Sequence, residues 1–256
     1  MAPPCRRIDA LLAHSNLETL VVVLVRPRNP LNIGAAARAM SNFGARQLRL
    51  VNPYAIAFRE ARSAVGASQL LKNAEEFGTV AKAAADCNLI VGTTAVRNRA
   101  LKHPLRQLDA ESGAAIQSDL QAGRVALLFG SEKTGLTNED FSYCHWLLNI
   151  PTAASHISMN LGQAVAVCLY EIARSSPTSS SAEESPHANV GDVEKITEVL
   201  LESLHQSGYV KPGNEAMCEK KTRSLILRLG LSSTDAKILL GMVRQILWKL
   251  RQRGGD

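Results

Sequence analysis

Residues Leu20 to Val25 read Leu-Val-Val-Val-Leu-Val. Successive side chains of a strand point to opposite faces, so an all-aliphatic strand is apolar on both. Such a strand is stable only when both faces are covered, as in a parallel sheet flanked by helices. The run is far short of the roughly 20 residues that cross a membrane. It is therefore read as a buried strand.

The rest of the first 175 residues alternates in the same way. Asn32 to Phe43 reads as a helix, with Asn32 as a candidate cap and Gly44 just past its end. Strands are expected at Gln47 to Val51, Leu89 to Thr93, Val125 to Phe129 and Leu147 to Ile150. Helices are expected at Phe77 to Asp86, Ala110 to Gln121, Asn138 to Tyr143 and Asn160 to Ser175. Alternating strands and helices predict an α/β fold with a parallel sheet, whose ligands bind beyond the carboxyl ends of the strands. Aromatic residues are only 4% of the chain against 46% hydrophobic, so the core is aliphatic, which disfavours an aromatic-rich β-sandwich.

One stretch breaks the pattern. Ser175 to Ala188, SSPTSSSAEESPHA, has no aliphatic residue larger than alanine and cannot bury apolar surface. The chain divides accordingly into a body at 1–174, a flexible linker at 175–189 and an all-helical piece at 190–256. In that piece helices are expected at Val193 to Ser207, Ala216 to Leu229 and Ser232 to Lys249.

Composition narrows the chemistry. The N-terminal residues lack an apolar stretch behind their arginines, which predicts a cytoplasmic protein with no membrane partner. The five cysteines are scattered, without a Cys-x-x-Cys pair, and the histidines stand at no metal-ligand spacing. No metal is expected. The net charge of +6 permits an anionic partner such as nucleic acid. In the helical piece, Lys220, Lys221, Arg223 and Arg228, then Arg244, Lys249, Arg251 and Arg253, are either solvated charges or RNA phosphate contacts.

Three clusters lie at strand ends. The first, Asn32-Ile33-Gly34-Ala35-Ala36-Ala37-Arg38, has one glycine and is no dinucleotide fingerprint. The second, Phe129-Gly130-Ser131-Glu132-Lys133-Thr134-Gly135-Leu136, fails as a phosphate loop because Glu132 stands where a glycine is required. It leaves a glycine-bracketed loop whose backbone can approach a ligand. The third runs from Ile150-Pro151-Thr152 through His156 to Ser158-Met159-Asn160-Leu161, where Ser158 or Asn160 is positioned to cap the following helix. These residues by themselves reach an α/β protein with three convergent loops and do not reach a reaction.

In this order and spacing, however, the clusters resemble the three motifs of the SPOUT superfamily of RNA methyltransferases, in its SpoU/TrmH branch, over roughly Thr19 to Arg174. Within the branch the chain is most similar to enzymes that methylate the ribose 2′-hydroxyl of cytidine or uridine at position 32 of the tRNA anticodon loop. That narrower likeness rests on Leu50-Val51-Asn52-Pro53, Val91-Gly92-Thr93-Thr94-Ala95, Gly135-Leu136-Thr137-Asn138-Glu139 and the helical tail. The resemblance implies a deep trefoil knot, an exception to the rule against threaded chains. It implies S-adenosylmethionine as methyl donor, in a pocket of Thr93, Thr94, Ala95, Gly130, Ile150, Ser158, Met159 and Asn160. It implies a homodimer acting on tRNA, with Arg38 facing the partner's donor site. Asn32, Glu132, Ser158 and Asn160 would orient Arg38 and the nucleotide. Arg38 would either activate the 2′-hydroxyl or hold the adjacent phosphate and stabilise the developing alkoxide, a guanidinium being almost never a free base. The rival readings are a ribosomal-RNA methyltransferase of the same family, a non-catalytic donor- and RNA-binding protein, and a small-molecule α/β enzyme with a nucleotide cofactor.

Overall fold

The computed structural model describes residues 17–63, 69–95, 103–177 and 187–253. Its centre is a parallel sheet of seven strands: β1 Leu20–Val25, β2 Gln47–Val51, β3 Glu75–Phe77, β4 Leu89–Thr93, β5 Leu105–Gln107, β6 Val125–Phe129 and β7 Trp146–Asn149. They lie side by side in the order β3-β2-β1-β6-β4-β7-β5. The helices are α1 Pro30–Phe43, α2 Ala55–Ser63, α3 Gln69–Lys72, α4 Val80–Ala83, α5 Ala110–Ala122, α6 Asn138–Ser142, α7 Leu161–Arg174, α8 Val190–Gln206, α9 Glu215–Arg228 and α10 Ser233–Arg253.

All six residues of β1 are buried, and they alternate between two cores. Leu20, Val22 and Leu24 pack with Ile33 and Met40 of α1, Ile116 of α5 and Val165 of α7. Val21, Val23 and Val25 pack with Val80 and Ala83 of α4, Phe141 of α6 and Val190 of α8. Each aliphatic side chain so buried is worth about 1.5–3 kcal/mol relative to exposure, and taking that on both faces commits β1 to the middle of the sheet.

Several segments depart from the sequence reading. Helix α1 starts at Pro30, capped by Asn29, whose side chain accepts from the Leu31 N–H. Proline loses nothing at the first helical position because its missing N–H has no partner there anyway. Asn32, the expected cap, is thus inside the first turn and free for other work. Phe77 ends β3, paired beside Val51, instead of opening a helix; the helix is only Val80–Ala83, capped by the Thr79 hydroxyl. Ile150 lies just past β7. The edge strand β5 and the helices α2 and α3 have no counterpart in the reading.

The three C-terminal helices share an apolar cluster of their own, with Val193, Ile196, Ile226, Leu227 and Ala236 at its heart. They are docked on the body by backbone hydrogen bonds from Val190 to Cys87 and from Gly191 to Ala85, both 2.9 Å. Arg223 of α9 adds a side-chain tie: it reaches Glu194, Glu219 and the Ser142 hydroxyl, with its guanidinium carbon 4.1 Å from the Tyr143 ring centroid. Of the serine-rich stretch, 178–186 lies outside the described residues, whereas Ala188 is buried and its N–H donates to Leu231 at 2.8 Å. Among the described residues no helix is long and apolar enough to cross a membrane.

Candidate active site

Strands β1, β6, β4 and β7 are neighbours, so the loops leaving their carboxyl ends meet at one edge of the sheet. They enclose a cavity of about 520 Å³. Every residue expected in the donor pocket lines it: Thr93, Thr94, Ala95, Gly130, Ile150, Ser158, Met159 and Asn160. Asn32 and Glu132 line it as well. Arg38 does not; it is exposed on α1 and makes no ion pair with the described residues.

Backbone and side-chain hydrogen bonds fix the walls. The Thr94 N–H donates to Leu148 at 2.9 Å, and the buried Asn149 amide donates to the Thr94 carbonyl at 2.8 Å. The Thr93 hydroxyl donates to Leu128 at 2.8 Å. Asn149 thus locks the loop after β4 to β7, a role that an isolated asparagine at the end of an aliphatic strand does not announce. After β6 the chain turns back on itself, with the Gly135 N–H donating to Ser131 at 2.7 Å. A Cβ on Gly130 would stand 2.1 Å from the Gly135 carbonyl carbon and 2.2 Å from the Leu136 nitrogen. The space on the Cβ side of Gly130 is taken by the other arm of its own loop, while Gly130 itself lines the cavity.

A polar relay joins the three clusters across the rim. The Glu132 carboxylate accepts from the Arg28 N–H at 3.0 Å, the Asn29 N–H at 3.2 Å and the Asn32 amide at 3.0 Å. The Asn32 carbonyl accepts from the Asn160 amide at 2.8 Å. The Asn160 carbonyl caps α7, accepting from the Gly162 N–H at 2.9 Å and the Gln163 N–H at 3.4 Å. The direction of this chain is forced. A carboxylate only accepts, so Asn32 must turn its NH₂ to Glu132, which leaves its oxygen for Asn160 and the oxygen of Asn160 for the helix.

Partial burial disfavours the Glu132 charge, but the Asn32 amide and the N–H groups of Glu132, Arg28 and Asn29 outweigh it and hold the carboxyl below its ordinary value. A carboxylate stabilised in this way is ionised at neutral pH and is a poor proton acceptor. It organises the site instead of abstracting a proton. Ser158 is exposed on the cavity wall and bonds to no described residue, and His156 is exposed beside Ser155 and outside the lining. Among the described residues no cluster of His, Cys, Asp or Glu has the makings of a metal site.

The cavity suits a small molecule with both apolar and hydrogen-bonding parts. Leu136, Ile150, Ile157 and Leu161 supply apolar walls, and Thr93, Thr94, Thr152 and Ser158 supply hydroxyls. A cavity of this size and mixed lining is typical for a drug-sized ligand.

Known proteins resemble the chain over this whole frame. It is 33% identical to the tRNA (cytidine/uridine-2′-O-)-methyltransferase TrmJ of Pectobacterium atrosepticum, over 90% of this chain and 97% of that protein. The enzyme of the same name from Cronobacter sakazakii is 35% identical, over 90% and 96%. Among solved structures, TrmJ from Z. mobilis ZM4 superposes with a TM-score of 0.76 at 31% identity, covering 88% of this chain and 98% of that one. The pattern of the SpoU rRNA methylase family matches residues 19–170, which contain β1 to β7, the cavity and the relay. The chain belongs to that family.

Proposed function

We propose that this protein transfers the methyl group of S-adenosylmethionine to the ribose 2′-hydroxyl of a cytidine or uridine in tRNA, at position 32 of the anticodon loop. The observation that carries the reading is the Glu132–Asn32–Asn160 relay, which ties the three motif loops together at the mouth of one cavity. The likeness to TrmJ enzymes over nine-tenths of the chain supports the tRNA substrate.

Thr93, Thr94, Ala95, Gly130, Ile150, Ser158, Met159 and Asn160 would hold the donor, whose sulfonium supplies an activated methyl group. The chain's own task is alignment of the ribose oxygen with that carbon and disposal of the hydroxyl proton. Among the described residues of the lining two side chains are charged, Glu132 and Lys133, and the lowered pKa of Glu132 makes it a poor base. Arg38 is therefore assigned to the nucleotide, holding the phosphate beside the target and stabilising the developing alkoxide.

Since Arg38 is outside the cavity of its own chain, the reading includes a homodimer in which it faces the partner's donor. Leu31, Val167 and Tyr170, exposed on the packed helices α1 and α7, favour that face as the interface. The convergence of the loops after β4, β6 and β7 on one pocket fits a knotted C-terminal half. Residues 190–256 then serve as a basic helical unit that strengthens tRNA binding through phosphate contacts.

Methyl transfer from labelled S-adenosylmethionine to separate pools of unmodified tRNA and ribosomal RNA, with the modified nucleotide mapped, tests the reading. Label on a ribose of the anticodon loop is expected. Label confined to ribosomal RNA would retain the chemistry and overturn the substrate, and absence of label with the donor bound would overturn the activity.

A further inference from the structure

A second cavity, of about 320 Å³, opens at the other end of the sheet. Leu89 and Trp146, the first residues of β4 and β7, form its body side; Arg228, at the end of α9, and Leu231 form its helical side. The wall is thus completed only when the C-terminal helices are docked.

Its polar groups are mainly cationic or proton-donating. The Arg106 guanidinium carbon lies 4.7 Å from the Trp146 ring centroid, which holds the planar head by its face and leaves the N–H edge for another partner. Neither Arg106 nor Arg228 makes an ion pair with the described residues. His145 accepts the Ile90 N–H at Nδ1, 3.0 Å away, so the proton of the neutral ring sits on Nε2. Burial, chiefly, holds His145 down at about 4, which keeps it neutral in the physiological range. His187 Nδ1 lies 3.3 Å from the Gly230 carbonyl. Among the described residues Asp119 is the one carboxylate of the wall. Beside the cavity, His103 is close enough to Arg228 to feel its charge, and its buried Nε2 has no hydrogen-bond partner among the described residues.

We propose that this seam is an anion site that takes a phosphate group, held between Arg106 of the body and Arg228 of α9 with the histidine edges as further donors. Two guanidinium forks from opposite walls match the oxygens of a tetrahedral anion. The phosphate belongs either to an RNA backbone or to a free phosphorylated molecule.

Inorganic phosphate, titrated into the full-length protein at constant ionic strength, is the direct test. The imidazole NMR signals of His145 and His187 report binding. A saturable shift is expected, weakened about 100-fold or more in Arg106→Gln/Arg228→Gln, about tenfold for each charge-assisted contact removed. The single variants, each at an exposed position with its circular dichroism checked, should show intermediate losses. No saturable shift in the wild type, or an equal one in the folded double variant, overturns the site. Where the site stands, tRNA affinity against salt identifies the source. Weaker binding with a salt slope reduced by about 1 assigns an RNA phosphate; unchanged affinity and slope assign a free phosphorylated ligand.

Discussion

Gly34 and Gly130 both belong to the motifs that signalled the family, yet one chain explains only the second. At Gly130 an added Cβ would collide with the Gly135–Leu136 backbone, and backbone does not move aside as a side-chain tip does. Gly130→Ala is expected to cost about 1–3 kcal/mol, the usual penalty for overpacking, and to weaken donor binding, both readable by urea denaturation and calorimetry. At Gly34 nothing lies within 4 Å of the same position, and the residue sits inside α1. Gly34→Ala should therefore stabilise the isolated fold by about 0.5–1 kcal/mol. If methylation nevertheless falls, the empty space at Gly34 is used by something outside the chain, RNA or a second subunit. Glu132 is a sharper case. Glutamine has one acceptor oxygen where the carboxylate serves three N–H donors, so Glu132→Gln must turn an NH₂ toward at least one of them. A fall in kcat of about 10- to 100-fold is expected, as for a lost polar contact that preorganises a site, with donor affinity little changed. The depressed pKa of Glu132 adds a pH signature. Its contribution to stability is complete above the ordinary carboxylate pKa and is lost as pH falls through the lower value of the folded state. Wild type and variant should therefore converge in stability under acid, and a gap that persists at low pH would refute the role.

Helices and strands that bury a whole face were legible in the sequence; those that do not were hidden. β1 and β6 are continuous apolar runs, and β4 opens as one with Leu-Ile-Val, because both their faces are covered. β5 is three exposed residues at the sheet edge, and β3 is likewise short and largely exposed, so neither carries a pattern. The misplaced start of α1 has a local cause, two asparagines three residues apart of which the one before Pro30 is the cap. The pocket residues were found through motif resemblance, whereas Asn149 and the Glu132–Asn32 contact depend on residues brought together from distant parts of the chain. The same distinction applies to Arg223, which looked like one cation of a basic helix. It is almost fully buried and satisfies Glu194, whose own carboxyl is pushed upward chiefly by burial and only partly restrained by Arg223. Removing one member of a buried pair leaves the other charge without compensation, at about 3–5 kcal/mol. Arg223→Ala should lose about that much in urea denaturation near neutral pH. Protonation of Glu194 removes the stranded charge, so the loss should shrink as pH falls through its raised folded-state pKa. A pH-independent loss would show that packing against Tyr143, and not the ion pair, is what the residue supplies.

On the scale of the whole molecule, the question is where Arg38 acts. In a single chain the residues proposed to hold the donor and the relay share one cavity and Arg38 stands outside it. Either the arginine is peripheral or the working unit has two copies, each lending Arg38 to the other's pocket across a two-fold axis. Two inactive variants separate these possibilities. Arg38→Ala leaves the cavity intact and should lower methyl transfer about 100-fold or more, by analogy with removing a transition-state donor. Ser158→Trp fills the cavity from its exposed wall and should abolish donor binding while leaving Arg38 in place. In a mixture allowed to exchange subunits, a mixed dimer contains one intact cavity and one intact arginine, on different chains. If Arg38 works across the interface these form one complete site. Equal amounts of the two variants should then recover about a quarter of wild-type activity, because half the dimers are mixed and each has one working site of two. If Arg38 serves its own chain, no dimer in the mixture has both parts in one subunit, and activity stays at the level of the separate variants.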